Sequence, residues 1–291
     1  MRHCWINGTF VHEDEAKVSI FDRGLLFGDG VYEVAAVLNG RLLDADLHIV
    51  RLEKSLAAIS IAMTMTREEW LSVMQTVATR NAITEGLVYL QVTRGVAERD
   101  FPFPANAVPT MFAYGRSKPL SHDPNVGGVR VISVPDIRWL RRDIKSTSLL
   151  AQVLAKQAAR SEGAFEALMH EDGMVTEGGA STFWMVTNGT LVTRPLSNAI
   201  LAGITRDVTL DLARALDIPI IERAFSVSEA IIADECFLTS ATSFVLPVTR
   251  VDDAIIGTGT PGTITQQLRS AYFARAMSIT DGDRPSMSLG E

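Results

Sequence analysis

Four times along its 291 residues the chain places Asn-Gly or Asp-Gly between short apolar runs: Asn7-Gly8, Asn39-Gly40, Asp172-Gly173 and Asn188-Gly189. Both residues of such a pair tolerate positive φ, which a two-residue hairpin turn requires. Each pair therefore predicts two neighbouring antiparallel strands. Spread over both halves of the chain, they argue against a regular βαβ repeat with a parallel sheet.

Helical patterns lie between these strands. Leu52, Leu56, Ile59 and Met63 recur at helical spacing, and Trp70, Val73, Met74 and Val77 do so on a second helix. Leu87 to Arg94 reads as a buried strand. Ser117 to Gly128 is polar and rich in Pro and Gly, as a domain linker would be. Beyond it the sequence predicts a strand over Val129 to Val134, a helix over about Ser148 to Ser161 and another over about Thr205 to Leu216. A last helix is expected to start near Thr260-Pro261, with Thr as N-cap and Pro in the first turn. The polar tail after Ile279 has no periodicity and is expected to fray or be disordered. The expected architecture is α+β in two domains, residues 1–120 and 121–291.

Composition excludes some functions. With 27 basic and 34 acidic side chains the net charge is −7, and no stretch concentrates Lys and Arg as a nucleic-acid footprint would. The N-terminus lacks a hydrophobic signal core, and no apolar run approaches the length of a membrane span. Cys4 and Cys236 form no Cys-x-x-Cys pair and read as reduced thiols of a cytoplasmic protein. The five histidines, His3, His12, His48, His122 and His170, are scattered, so no metal is expected.

Against that background Lys145 stands out. Only five lysines occur, and Lys17, Lys54, Lys118 and Lys156 all have ordinary surface explanations. Lys145 lies where an apolar strand gives way to a helix. A lysine that is partly desolvated or close to other cations can act as an amine nucleophile. By itself, following Arg141 and Arg142, it reads more readily as part of a solvated basic cluster.

Three further segments bear on its role. In Met174-Val175-Thr176-Glu177-Gly178-Gly179, Glu177 is either a solvated strand-end carboxylate or a buried acid awaiting a basic partner such as a pyridine nitrogen. Leu201-Ala202-Gly203-Ile204-Thr205-Arg206 sets a glycine loop before a helix, where free N–H groups favour an anion. Thr239-Ser240-Ala241-Thr242-Ser243 offers hydroxyls and N–H groups after an apolar strand. An N-cap and a Ser/Thr turn are the competing readings of these two. Arg51 follows His48 on a helix and offers a guanidinium, although a solvated helix face is the default for any one arginine.

Together these features carry a resemblance. Phe27-Gly28-Asp29-Gly30-Val31-Tyr32-Glu33-Val34, Gln91-Val92-Thr93-Arg94-Gly95, Asp136-Ile137-Arg138-Trp139, Asp143-Ile144-Lys145-Ser146, Thr176-Glu177-Gly178 and Gly203-Ile204-Thr205-Arg206 follow one another in order. Over residues 3–278 the chain resembles the fold-type-IV pyridoxal-phosphate enzymes, most closely the D-amino acid aminotransferases. The resemblance implies that Lys145 holds pyridoxal 5′-phosphate as a Schiff base and shuttles the proton. It implies that Glu177 keeps the pyridine nitrogen protonated. Arg51, the N–H groups of Ile204 and Thr205, and the Ser240-Ala241 turn would bind the phosphate. Leu201 would pack on the ring, Arg138 would lie near its hydroxyl, and Tyr32 and Arg99 would hold the substrate carboxylate. Because the loop bearing Arg99 comes from the partner subunit in that family, a homodimer is implied as well.

The implied reaction moves an amino group from a D-amino acid, D-alanine or D-glutamate, to a 2-oxo acid by ping-pong kinetics. Three departures stand out. Phe101 replaces a histidine two residues after the carboxylate-binding arginine, Ala241 replaces a frequent threonine, and Phe244 replaces a commonly acidic residue. The scaffold also serves branched-chain L-amino acid transaminases, (R)-amine transaminases and aminodeoxychorismate lyases. A catalytically idle binding protein is a further alternative, against which Lys145 and Glu177 both speak.

Overall fold

The four pairs Asn7-Gly8, Asn39-Gly40, Asp172-Gly173 and Asn188-Gly189 turn hairpins in the computed structural model, which describes residues 2–120 and 126–281. The first residue of each pair has φ of 46° to 50°, and each glycine is also at positive φ. The chain divides into two units. One comprises the residues up to Leu120 together with Ile144–Ser148 and the chain from Ala274; the other comprises Ser121–Asp143 and Leu149–Phe273. Lys145, expected in the domain 121–291, thus packs with the first unit. The expected linker falls partly on residues 121–125, and the expected frayed tail beyond residue 281; these lie outside the described residues.

The first unit contains β1 (His3–Ile6), β2 (Thr9–His12), α1 (Arg23–Phe27), β3 (Gly30–Leu38), β4 (Arg41–Leu42), α2 (Ala45–Ala58), α3 (Arg67–Arg80), β5 (Glu85–Thr93) and β6 (Thr110–Ser117). Its strands form one sheet in the order β2-β1-β6-β5-β3-β4, antiparallel throughout among the described residues. Alternation along β3 and β5 sends Val31, Ala35, Val37, Val88, Leu90 and Val92 into the core. There they meet Leu52 and Leu56 of α2 and Trp70, Met74 and Val77 of α3. Each such buried Val, Leu or Met side chain contributes about 1.5–3 kcal/mol. A capping box starts α3: the Glu69 N–H donates to Thr66 Oγ (3.2 Å) and the Thr66 N–H to the Glu69 carboxylate (2.7 Å).

The predicted helix through Met63 ends sooner. Ile59 is the C-cap of α2 and Ser60 takes φ of 55°. Ile59 and Met63 still pack on the core, from the loop, so the apolar spacing outlasts the helix.

The second unit contains β7 (Val129–Pro135), α4 (Leu150–Ser161), β8 (Glu166–Glu171), β9 (Met174–Gly178), β10 (Thr182–Thr187), β11 (Thr190–Thr193), α5 (Ile204–Ala215), β12 (Ile220–Glu222), α6 (Val227–Ile231), β13 (Glu235–Ser240), β14 (Phe244–Val251) and β15 (Ala254–Ile255). Helix α7 (Thr263–Asp281) begins here. The sheet runs β12-β11-β10-β13-β14-β7-β8-β9, with β15 beside β14. It is mixed rather than wholly antiparallel. β7 and β8 pair in parallel, and the helix α4 that joins them lays Ala155 and Ala159 on Ile132, Ala167 and Met169.

Helix α7 begins at Thr263, later than Thr260-Pro261 suggested. The Glu235 carboxylate accepts from the N–H groups of Ile264 (3.0 Å) and Thr265 (2.8 Å), so a residue remote in sequence caps the helix. Among the described residues no helix is long and apolar enough to cross a membrane, and no group of three or more His, Cys, Asp or Glu is placed to hold a metal ion.

Candidate active site

Each unit holds its own set of candidate residues. On the first unit Lys145 is fixed by its backbone. Ile144–Ser148 runs beside the start of β3: the Tyr32 N–H donates to the Lys145 carbonyl (3.1 Å) and the Thr147 N–H to the Gly30 carbonyl (3.0 Å). The Lys145 N–H donates to Ser55 Oγ (3.3 Å). Its Nζ stands 4.3 Å from the centre of the Tyr32 ring. Tyr32 in turn stacks on Tyr89, and Tyr89 on Tyr114. The amine therefore sits over an aromatic face.

Pleating sends the next residue of β3, Glu33, to the opposite face, where it is fully buried. Arg51 grips it with Nε and Nη2, both at 2.7 Å, and His48 Nδ1 donates to it at 2.7 Å. Arg51 is thus a buried, bidentate partner of Glu33 rather than a solvated side chain. Burial alone pushes the Glu33 carboxyl up, but the charge and hydrogen bonds of Arg51, with those of His48, outweigh it and hold the pKa at about 2.

An ordinary glutamate value of 4.5 makes that shift worth about 3 kcal/mol of folding stability, fully present above pH 4.5 and lost as pH falls towards 2. Urea unfolding of the wild type and Glu33→Gln, at pH 7 and pH 3, tests this. The wild type should lose about 2 kcal/mol more than the variant over that interval. Equal losses would show that the Glu33 carboxylate does not carry the effect.

Arg99 and Phe101 lie on an exposed loop of the same unit. The Arg99 guanidinium stands 5.4 Å from the Phe27 ring, and Phe101 packs on Phe27 at 5.6 Å. Phe101 is 74% exposed.

On the second unit Glu177 is buried near the end of β9. Its carboxylate accepts from Arg138 Nη1 and from the Leu201 N–H at 3.2 Å. Arg138 is held in place by Asp136, to which Nε donates at 2.9 Å and Nη2 at 2.7 Å, and the Thr176 hydroxyl also donates to Asp136 (2.7 Å). Burial pushes the Glu177 carboxyl above the usual range, and Arg138 offsets this only in part. Asp136 is held below that range because Arg138 outweighs its burial. The reading of Glu177 as a solvated strand end is excluded.

The two glycines behind Glu177 have a steric cause. A Cβ on Gly178 would lie 2.2 Å from Ser181 Oγ, and one on Gly179 would lie 2.9 Å from the buried Glu166 carboxylate, which pairs with Lys156 at 3.1 Å.

The two anion-friendly turns are neighbours within this unit. Thr182 of β10 pairs with Thr239 of β13, and Gly203 packs so close to Thr182 that a Cβ would approach its Oγ to 2.9 Å. Gly203 is the N-cap of α5 and offers no side-chain acceptor to Ile204 and Thr205. In the second turn the Ser243 N–H donates to Ser240 Oγ (3.1 Å), with Ala241 between them half-buried. Phe244, at φ of 56°, is buried between Tyr272 and Phe273, so this departure belongs to the core and not to the turn.

Several residues of these networks escape a reading of the sequence by single positions. His48 and Arg51 stand three apart on one face of α2, a spacing that could have flagged a shared partner. Asp136 lies two residues before Arg138, yet only the fold brings both to Glu177.

Within the second unit, a buried carboxylate with a cationic neighbour and a helix start whose N-cap lacks a side chain are groups that suit a phosphorylated pyridine; within the first, the tethered amine suits a carbonyl partner. The family model "Amino-transferase class IV" matches residues 30–251. The chain is 40% identical to a D-alanine aminotransferase of Staphylococcus aureus (strain MSSA476), over 94% of this chain and 97% of that one. In structure it is similar to the branched-chain amino acid aminotransferase of Escherichia coli, with a TM-score of 0.89 and 22% identity over 94% of both chains. It is also similar to the branched-chain amino acid aminotransferase of Thermobaculum terrenum in its PLP-form. There the TM-score is 0.85 and the identity 24%, over 97% of this chain and 95% of that one.

Proposed function

Because the chain belongs to the class IV aminotransferase family, we propose that it moves the amino group of a D-amino acid, D-alanine or D-glutamate, to a 2-oxo acid, with pyridoxal 5′-phosphate as cofactor. The observation that carries the choice of enantiomer is the 40% identity to a D-alanine aminotransferase along nearly the whole of both chains. The branched-chain neighbours cited share the fold at 22–24% identity.

When bound, the cofactor supplies a ring that accepts the electron pair left as the substrate Cα loses its proton. The rest is the work of the chain. Lys145 would anchor the cofactor, and its amine, once released, would take the Cα proton and deliver it to the cofactor carbon, which is what moves the amino group off the substrate. Glu177 would hold the proton on the ring nitrogen, and Arg138, which fixes its carboxylate, would serve the ring hydroxyl. The N–H groups of Ile204 and Thr205, the Ser240-Ala241 turn and Arg51 hold the phosphate. Leu201 would cover one ring face, and Tyr32 and Arg99 would receive the substrate carboxylate.

A homodimer belongs to the same reading. Phe21, Leu25, Val96, Phe101 and Phe103 are exposed on two segments joined by the Ala97 N–H and the Phe21 carbonyl, as a surface covered by a second copy would be. Two free thiols, Cys4 and Cys236, support a cytoplasmic setting.

The absorbance spectrum of the purified protein tests the reading. D-alanine should bleach the visible cofactor band, and 2-oxoglutarate should restore it. A panel of D- and L-alanine, D-glutamate, L-leucine and an (R)-arylamine then ranks substrates. Activity confined to L-leucine would overturn the enantiomer. Activity with the arylamine would follow from Phe101, which offers a carboxylate no charged donor.

A further inference from the structure

The loop that carries Arg99 and Phe101 is exposed and belongs to no helix or strand, yet it has to hold a substrate carboxylate in one orientation. Its rigidity comes from a buried cluster on the same unit. Arg23, which is 3% exposed at the start of α1, donates through Nη1 to the Asp100 carbonyl (2.5 Å) and through Nη2 to the Phe101 carbonyl (3.2 Å). Its Nε is held by Asp29 (2.8 Å). Asp29 also takes Nε (2.8 Å) and Nη2 (3.1 Å) of Arg94, whose guanidinium carbon lies 3.5 Å from the centre of the Phe103 ring.

One carboxylate thus orients two arginines, and both act on the loop, one through its carbonyls and the other through its last aromatic ring. The same Arg23 guanidinium lies 4.6 Å from the Phe27 ring, on which Arg99 and Phe101 also rest. Burial pushes the Asp29 carboxyl up, but the hydrogen bonds and charge of Arg94 and Arg23 prevail and hold it below the usual range. Asp29 is therefore a fixed anion at neutral pH. α1 itself is pinned to this region, since Asp22 caps it through the Gly24 N–H (2.8 Å) and accepts from the Thr93 hydroxyl (3.0 Å). Gly95, at φ of 96°, starts the loop where a Cβ would lie 1.8 Å from the Val108 carbonyl oxygen.

We propose that Asp29 and Arg23 are positioning residues that set the Arg99–Phe101 loop, and through it the affinity for the substrate carboxylate. This rests on the reading of Arg99 as the carboxylate-binding arginine. Neither residue is asked to touch substrate or cofactor. Their loss therefore acts on recognition of the carboxylate and leaves cofactor attachment and proton transfer intact. Misplacing a binding group by about 1 Å can cost up to about 100-fold.

Arg23→Lys keeps the charge beside Asp29 and loses the fork that spans two carbonyls. Propionate, which is alanine without its amino group, serves as the probe, titrated against the absorbance of the cofactor-loaded protein. The propionate Kd and the KM for D-alanine and for 2-oxoglutarate should each rise about tenfold or more in the variant. kcat should stay within about threefold of wild type, and the cofactor spectrum and Tm should be preserved.

Unchanged propionate affinity and KM in a loaded, folded variant would overturn the inference, as would a fall in kcat with KM unchanged. Should Arg23→Lys fail to fold, Asp29→Asn, which keeps the shape and removes the charge, is read by the same criteria. A wild-type protein inactive with D-alanine would instead sink the functional reading. An active wild type with indifferent variants would sink only the role of Asp29 and Arg23.

Discussion

Lys145→Ala should lose the visible cofactor absorbance and at least about 10⁴-fold in turnover, the upper end of what a single positioned base contributes. The physical case rests on what the substitution leaves in place. Lys145 is held by backbone groups, through the Tyr32 N–H on its carbonyl and its own N–H on Ser55. Alanine keeps both bonds. What disappears is the amine over the Tyr32 ring. The variant should therefore fold, with an unchanged Tm in the absence of cofactor, and fail only in chemistry. Lys145→Arg separates charge from nucleophilicity, because a guanidinium keeps the cation over Tyr32 but does not deprotonate to attack. It should be as inactive as the alanine variant. Near-normal turnover in either would remove Lys145 from the mechanism.

Glu177→Gln should lower kcat by about 10²–10³-fold, the scale on which one preorganised electrostatic partner in a water-poor site acts. Glutamine preserves the acceptor for the Leu201 N–H and the shape of the buried site. It removes the negative charge that would keep the ring nitrogen protonated. Arg138 does not become an orphaned buried cation, because Asp136 still binds it through two nitrogens. Stability should therefore change little, and the loss should fall on kcat in single-turnover measurements with D-alanine. Glu177→Asp, which restores the charge at a shorter reach, should recover part of it. A loaded Glu177→Gln protein with wild-type kcat would show that the ring nitrogen does not depend on this carboxylate.

The hairpins were legible because their signal is local. An Asn-Gly or Asp-Gly pair at positive φ closes a turn without help from the rest of the chain, and all four do so. Helix α3 was legible for the same reason, since its apolar stripe and capping box lie within neighbouring residues. The end of α2 was not, because Ile59 and Met63 keep helical spacing while packing on the core from a loop. The start of α7 was not either, because its cap, Glu235, arrives from another strand.

The same division runs through the site. The sequence by itself determined which groups are present: one lysine without a surface explanation, a strand carboxylate before two glycines, a glycine-led helix start, and motifs in an order that identifies the family. Residue type and local spacing suffice for those. Only the tertiary structure decided what each group is worth. It buried Glu177 beside Arg138 and Asp136, gave Arg51 to Glu33, set the amine of Lys145 over Tyr32, and tied the Arg99 loop to Asp29 through Arg23. Desolvation and ion pairing depend on which distant segments meet, and the energy of a buried charge depends on its partners rather than on its neighbours in the chain.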